Sequence, residues 1–177
     1  MPAVSYRPRY QVEDYLGWEG DWELWDGVPV SMSPSPDFFH QSIGGNLYSQ
    51  LRNQLAREEC PADCSALYEI DWHIDRNTVV RPDLVLVCER PEGRWIEKRP
   101  EFVAEILSPS TRQKDLVAKR ELYAANGVPF YLIVDPDERG ATLLRLEGGS
   151  YAEESADSPF ELHPGCVLRL DLPALFV

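Results

Sequence analysis

Two carboxylates stand where the residues around them would otherwise form plain apolar strands. Asp83 enters the run Arg81-Pro82-Asp83-Leu84-Val85-Leu86-Val87, and Glu105 sits inside Phe102-Val103-Ala104-Glu105-Ile106-Leu107. An ionised carboxylate among such neighbours is costly unless it is paired, protonated or bound to a metal. On neighbouring strands the two could share one cation. Mg²⁺ suits so sparse a site, because it takes hard oxygen ligands in octahedral geometry and keeps waters and substrate phosphate oxygens beside one or two carboxylates. A cation held there could activate water, polarise a phosphoryl oxygen and stabilise the charge developing in the transition state. The structural alternative is that Asp83 caps a bend and Glu105 pairs with an arginine.

Three further residues share a direction. Asp115, Lys119 and Tyr123 recur at four-residue intervals, which puts them on one face of a helix. Lys119 beside a metal could orient the attacking water or neutralise the scissile phosphate. Its alternative is a surface pair with Asp115 worth a few tenths of a kcal/mol. Glu23 could complete an acidic cluster, and His40 could contact phosphate or carry a proton. Either could equally be a solvated residue.

The elements that must position these groups follow from pattern. Residues 11–18 read as a short helix, and residues 22–32 as two short strands joined by the Asp26-Gly27 turn. Residues 33–36, Ser-Pro-Ser-Pro, are turn material. Ile43, Leu47, Leu51 and Leu55 recur every four residues and predict an amphipathic helix over about 37–58. Strands are expected at 66–74, 79–88 and 101–107, the last two apolar enough to be covered on both faces. A helix is expected from Pro109-Ser110-Thr111 to the stop signal Asn126-Gly127. A buried strand over 129–134 follows, then a turn at 135–140 and strands over 141–146 and 167–170. This order implies a mixed sheet flanked by helices.

The chain has 177 residues, 44% hydrophobic and 27% charged, without repeat or linker, as one domain with a full hydrophobic core would have. No stretch approaches the roughly 20 apolar residues of a membrane span, and the arginines of residues 1–10 are not followed by the apolar segment of a signal peptide. A cytoplasmic protein is expected, with Cys60, Cys64, Cys88 and Cys166 as thiols. Cys60 and Cys64 could instead hold a metal, though no second ligand pair stands at zinc-site spacing. Thirty acidic residues against 17 basic ones give a formal net charge of −13. Nucleic-acid binders usually show the reverse balance, so binding DNA would need a local basic groove or a metal offsetting the carboxylates.

Taken together, Glu23-Leu24-Trp25-Asp26-Gly27, Met32-Ser33-Pro34-Ser35-Pro36 with His40, Pro82-Asp83, Glu105-Ile106-Leu107-Ser108-Pro109-Ser110-Thr111, Asp115 with Lys119 and Tyr123, and Gly127-Val128 running into Val134-Asp135-Pro136 resemble a known pattern. It is that of the Uma-two family of restriction-endonuclease-like proteins, in the PD-(D/E)XK nuclease superfamily, and the match runs through almost the whole chain. The resemblance implies an α/β fold, a restriction-endonuclease-like mixed central β-sheet flanked by helices. It also implies metal-binding acids at Asp83 and Glu105, an additional acid at Glu23, DNA as substrate and a homodimer. In the wider superfamily a lysine stands two residues after the second acid, where this chain has Leu107. Related families carry the lysine on the following helix, where Lys119 matches, and the backbone carbonyl of Ile106 supplies a further metal ligand in similar nucleases.

The leading expectation is therefore Mg²⁺- or Mn²⁺-dependent hydrolysis of a phosphodiester, by Asp83, Glu105, Lys119, Glu23 and His40. Its rival is a catalytically silent module of the same fold that binds DNA or a protein. A basic trough leading to Asp83 would favour cleavage, and an acidic rim the module. A third expectation, hydrolysis of a small phosphorylated compound, requires a closed pocket.

Overall fold

The computed structural model describes residues 8–32, 37–57 and 59–177. The turn expected at 33–36, the last residue of the helix expected over 37–58 and most of the segment 1–10 lie outside the described residues.

The chain begins with a single helical turn, α1 (Val12–Tyr15), shorter than the expected 11–18. The hairpin β1 (Trp22–Trp25) and β2 (Val28–Ser31) follows in the expected place. Asp26 and Gly27 both take left-handed backbone angles, φ 46° and 78°, as a two-residue turn matching the twist of the strands requires. A side chain at Gly27 would also press on the Tyr10 backbone, 3.1 Å from its carbonyl oxygen.

Helix α2 (Phe38–Leu55) starts at Asp37, whose carboxylate accepts from the His40 amide at 2.9 Å. Its stripe of Ile43, Leu47, Leu51 and Leu55 is buried, as the four-residue recurrence predicts. Gly44 lets this helix come close to the sheet, because a Cβ there would stand 2.4 Å from the Tyr68 hydroxyl oxygen.

The two strands expected over 66–74 and 79–88 are each broken in two. They become β3 (Ser65–Tyr68), β4 (Trp72–Asp75), β5 (Thr78–Val80) and β6 (Leu84–Val87). The reason is local. Glu69 takes a left-handed φ of 47°, and Pro82 in the Arg81-Pro82-Asp83 link has no amide hydrogen to give to a ladder. At these two breaks the chain passes between sheets, so β4 and β5 join the hairpin in a four-stranded sheet of order β2-β1-β5-β4, while β3 and β6 enter the main one.

Strand β7 (Phe102–Ile106) leads into a helical crossover made of a π-helical segment, Lys114–Lys119, and α3 (Arg120–Ala125). The crossover returns to β8 (Phe130–Asp135), which pairs parallel with β7. Then come β9 (Gly140–Glu147), β10 (Ser150–Ser155), β11 (Phe160–His163), β12 (Cys166–Leu168) and a closing 3-10 turn, Pro173–Phe176. The main sheet is mixed, of order β10-β9-β8-β7-β6-β3. Strands β10 and β11 were not anticipated, because β10 is a largely polar edge and β11 belongs to a short outlying hairpin with β12.

Alternation along the central strands makes two cores. Phe102, Ala104, Ile106, Leu84 and Leu86 face α2 and the β11-β12 hairpin. Val103, Leu107, Val85, Tyr131 and Ile133 face the other way, with Tyr123 and Trp72. Both faces of the sheet are thus covered, as apolar runs this dense require.

The four cysteines are not thiols: Cys60 is bonded to Cys166 and Cys64 to Cys88. Cys64 precedes β3 and Cys88 follows β6, one position beyond the Ser65–Val87 pair of the antiparallel ladder, so the sheet brings them together. Separations of 106 and 24 residues hid both pairings in the sequence. Cys60 and Cys64 stand in different bridges and cannot share a metal, and the expectation of four thiols is overturned. No helix among the described residues is long and apolar enough to cross a membrane.

In the smaller sheet His73 is 8% exposed, lies flat on Trp95 at 4.4 Å, and has an Nε2 without a hydrogen-bond partner among the described residues. Burial lowers its pKa below the usual 6.5, against the opposing charges of Asp71 and Glu97. The folded state therefore binds fewer protons than the unfolded chain, and the stability held by neutral His73 should be present above about pH 6.5 and lost as pH falls through the folded pKa. Urea unfolding across that range should show the loss in the wild type and a flatter profile in His73→Gln.

Candidate active site

Asp83 stands in the link by which the chain leaves β5 and enters β6. Its Oδ2 accepts the amide of Ile106 at 2.7 Å, which ties the start of β6 to the end of β7. The same oxygen lies 3.2 Å from His40 Nε2 on the first turn of α2. Burial pulls the His40 pKa down, but the hydrogen bond to Asp83 and the charges of Asp83, Glu69 and Asp37 outweigh it, and the net shift is upward. Among the described residues both contacts fall on Oδ2, which leaves Oδ1 for a ligand.

Glu105 is 2% exposed. Alternation along β7 turns it to the same face as Val103 and Leu107, toward the helical crossover. There its Oε1 accepts from Lys119 Nζ at 2.9 Å and from the Tyr123 hydroxyl at 2.6 Å. Burial lifts the carboxyl well above its ordinary range; Lys119 pulls it back, and Asp83 and Asp115 push it further up. Tyr123 is held as a neutral donor, first by burial and then by the Glu105 charge.

Lys119 is buried, 6% exposed, and so is not the surface partner of Asp115 that spacing alone allowed. It lies 3.3 Å from Glu23 Oε1 and 3.9 Å from Asp115 Oδ1, as well as 2.9 Å from Glu105. Burial works against the ammonium charge, but Glu105, Glu23 and Asp115 together raise its pKa well above that of a free lysine. Burial also raises Asp115, to about 6. The π-helical segment puts both Asp115 and Lys119 on the sheet side, and wide turns of this kind are frequent at functional sites.

Glu23 reaches the cluster from β1 and accepts the Arg81 amide at 2.8 Å. The Arg81 side chain turns away to Asp71 at 2.7 Å and Asp21 at 2.9 Å. The small sheet is thereby stitched to the main one at the site.

All five side chains singled out in the sequence, Asp83, Glu105, Lys119, Glu23 and His40, line one cavity of about 700 Å³, together with Ile106. Leu107, where the superfamily has its lysine, lies in the apolar core, 5% exposed. Spacing gave no sign of Glu69, which lines the cavity from the break between β3 and β4, nor of the Tyr123 bond to Glu105.

The residues fit a divalent cation. Glu23, Asp83, Glu105 and Asp115 could carry four negative charges against the single one of Lys119, and among the described residues Glu105 Oε2 and Asp83 Oδ1 keep free valences for hard oxygen ligation. Among the described residues no group of three or more His, Cys, Asp or Glu side chains already forms a metal cage. Mg²⁺ asks for less, since one or two carboxylates with waters and phosphate oxygens suffice.

Removing Lys119 should leave buried carboxylates without their cation, which costs about 3–5 kcal/mol. Urea unfolding of Lys119→Met at neutral pH measures it. A loss under about 1 kcal/mol would mean that the acids are protonated and not paired.

Comparison with solved structures finds a protein described as "a putative nuclease belonging to DUF820" from Anabaena variabilis ATCC 29413. It is 18% identical, with a TM-score of 0.74 over 94% of this chain and 97% of that one. The likeness establishes the fold. Comparison with curated proteins returns no match. Residues 12–173 match the family Uma2, described as "Putative restriction endonuclease". The match runs from α1 to the start of the closing 3-10 turn, the mixed sheet shares its fold with the Anabaena protein, and the chain belongs to the Uma2 family.

Proposed function

We propose that the protein is a metal-dependent endonuclease that hydrolyses phosphodiester bonds, with DNA as the substrate and a homodimer as the working form. The observation that carries this reading is a buried lysine held against Glu105 in a solvent-accessible cavity that also holds Asp83. Buried ion pairs are an inefficient way to gain stability, whereas a charge of that kind is useful beside a reacting phosphate.

In this reading Asp83 and Glu105, with the carbonyl of Ile106, hold Mg²⁺ or Mn²⁺. When bound, the cation supplies Lewis-acid polarisation of the phosphate and lowers the pKa of water. Lys119 neutralises charge building on the phosphorus oxygens or orients the attacking water, from a position fixed by Glu23 and Asp115. Tyr123 holds Glu105 by one oxygen so that the other faces the cavity. His40, against Asp83, is placed to carry a proton to or from the leaving oxygen.

The silent module stays in play on one observation. Carboxylates outnumber cations around the cavity by seven to four among the described residues, so the approach is not a basic trough.

Cleavage of DNA, offered as supercoiled, linear duplex and single-stranded substrates, should require Mg²⁺ or Mn²⁺, stop with chelator and be abolished in Asp83→Ala. Lys119→Met should lose on the order of 10²–10³-fold in rate, the usual cost of removing one electrostatic stabiliser. Binding of DNA without cutting under any of these conditions would favour the silent module.

A further inference from the structure

The mouth of the cavity carries two largely exposed aromatic rings. Phe38 and Phe39 are 78% and 67% exposed, lie edge to face at 5.6 Å, and form the first turn of α2, immediately before His40. Other large side chains are exposed singly, as is ordinary on a protein surface. These two are consecutive, and they line the same cavity as Asp83 and Glu105. Phe176 extends the apolar wall from the closing 3-10 turn, under the guanidinium of Arg139 at 5.8 Å.

The charges nearby limit what a strand could be gripped by. Of the four cations that line the cavity among the described residues, Arg81 is spent on Asp71 and Asp21, and Lys119 on Glu105 and Glu23. Lys114 and Arg139 are bonded to backbone carbonyls, of Ser31 and Phe176, and keep their charge for a phosphate. Two cations among seven carboxylates cannot hold a duplex by its backbone, the usual source of affinity for DNA. A cavity of about 700 Å³ has the size of a small-molecule site, which suits a nucleotide or two and not a double helix.

From these observations we infer that the site takes an unpaired DNA strand and that Phe38 and Phe39 are its base-stacking platform, leading the strand's phosphate past His40 to the acids. The inference rests on the nuclease reading for where the phosphate goes. Stacking on aromatic faces is sequence-tolerant and does not depend on positive charge, so it provides the affinity that a chain of net charge −13 lacks in its backbone contacts.

The test uses the full chain in Ca²⁺ at low salt, with fluorescence anisotropy of a labelled mixed-sequence single strand, the same sequence as a duplex, and as RNA. In parallel, hydrolysis of a labelled abasic strand, whose phosphodiesters carry no aromatic group to stack, is followed in Mn²⁺. The single DNA strand should bind more tightly than the duplex and no less tightly than the RNA, with a shallow salt slope of about −1.4 for two phosphates. Phe38→Ala/Phe39→Ala should weaken that binding by roughly tenfold per stacked base. Phe38→Trp/Phe39→Trp should restore it, and the abasic strand, which has nothing to stack, should separate the two effects by being cut at a rate that does not follow the binding of the base-bearing strand. Loss of binding in the alanine variant with no hydrolysis of any substrate by the wild type would support the platform and overturn the nuclease reading. Equal affinity for duplex and single strand, tighter binding of RNA, unchanged binding in the alanine variant, or an effect confined to oligomeric state in light scattering would each overturn the platform.

Discussion

A lysine ammonium and a glutamate carboxylate, both out of water, are the constraint around which the rest is arranged. Neither charge could be buried alone, and the pair itself returns little stability once desolvation is counted. The fold therefore supplies supporting groups. Tyr123 gives Glu105 a second donor, and Glu23 and Asp115 surround the ammonium from β1 and from the crossover. Each comes from a different element, so closing this cluster ties the small sheet, the main sheet and the crossover helix to one point.

The two breaks in the strands have the same logic. A continuous strand over 79–88 would bury its residues on alternate faces and leave Asp83 in a ladder. Breaking it at Arg81-Pro82-Asp83 lets the chain change sheets, and the carboxylate at the break can accept the Ile106 amide. The left-handed residue Glu69 makes the matching passage on the neighbouring pair, where its amide bonds the Asp83 carbonyl. The site thus sits where two sheets exchange strands, and the apolar cores on both sides of the main sheet hold its floor rigid.

Electrostatics give the site its asymmetry. Its inner wall is acidic with one buried lysine, and its mouth is aromatic, with little charge to spare for a polyanion. On the proposed reading, a nuclease built this way would depend on a cation for its chemistry and on something other than basic residues for its grip. The net charge, which sits badly with DNA binding when considered alone, then becomes a statement about which part of the nucleic acid the protein can hold.

Much of this was legible in the sequence. Periodicity located α2, the hairpin and the central strands, because burial of a fixed face imposes a fixed spacing, and the apolar context of Asp83 and Glu105 marked them as groups in need of a partner. The motif order pointed to the family and the fold. Tertiary structure alone decided the rest. Spacing could not distinguish a Lys119 on the surface from one buried among three acids, because a helix face does not say what it packs against. Nor could it show that two apparent strands would each divide between sheets, that Tyr123 would reach Glu105, or that four scattered cysteines would pair. All of these are contacts between residues far apart in the chain, and local preference carries no information about which distant segment will arrive beside it.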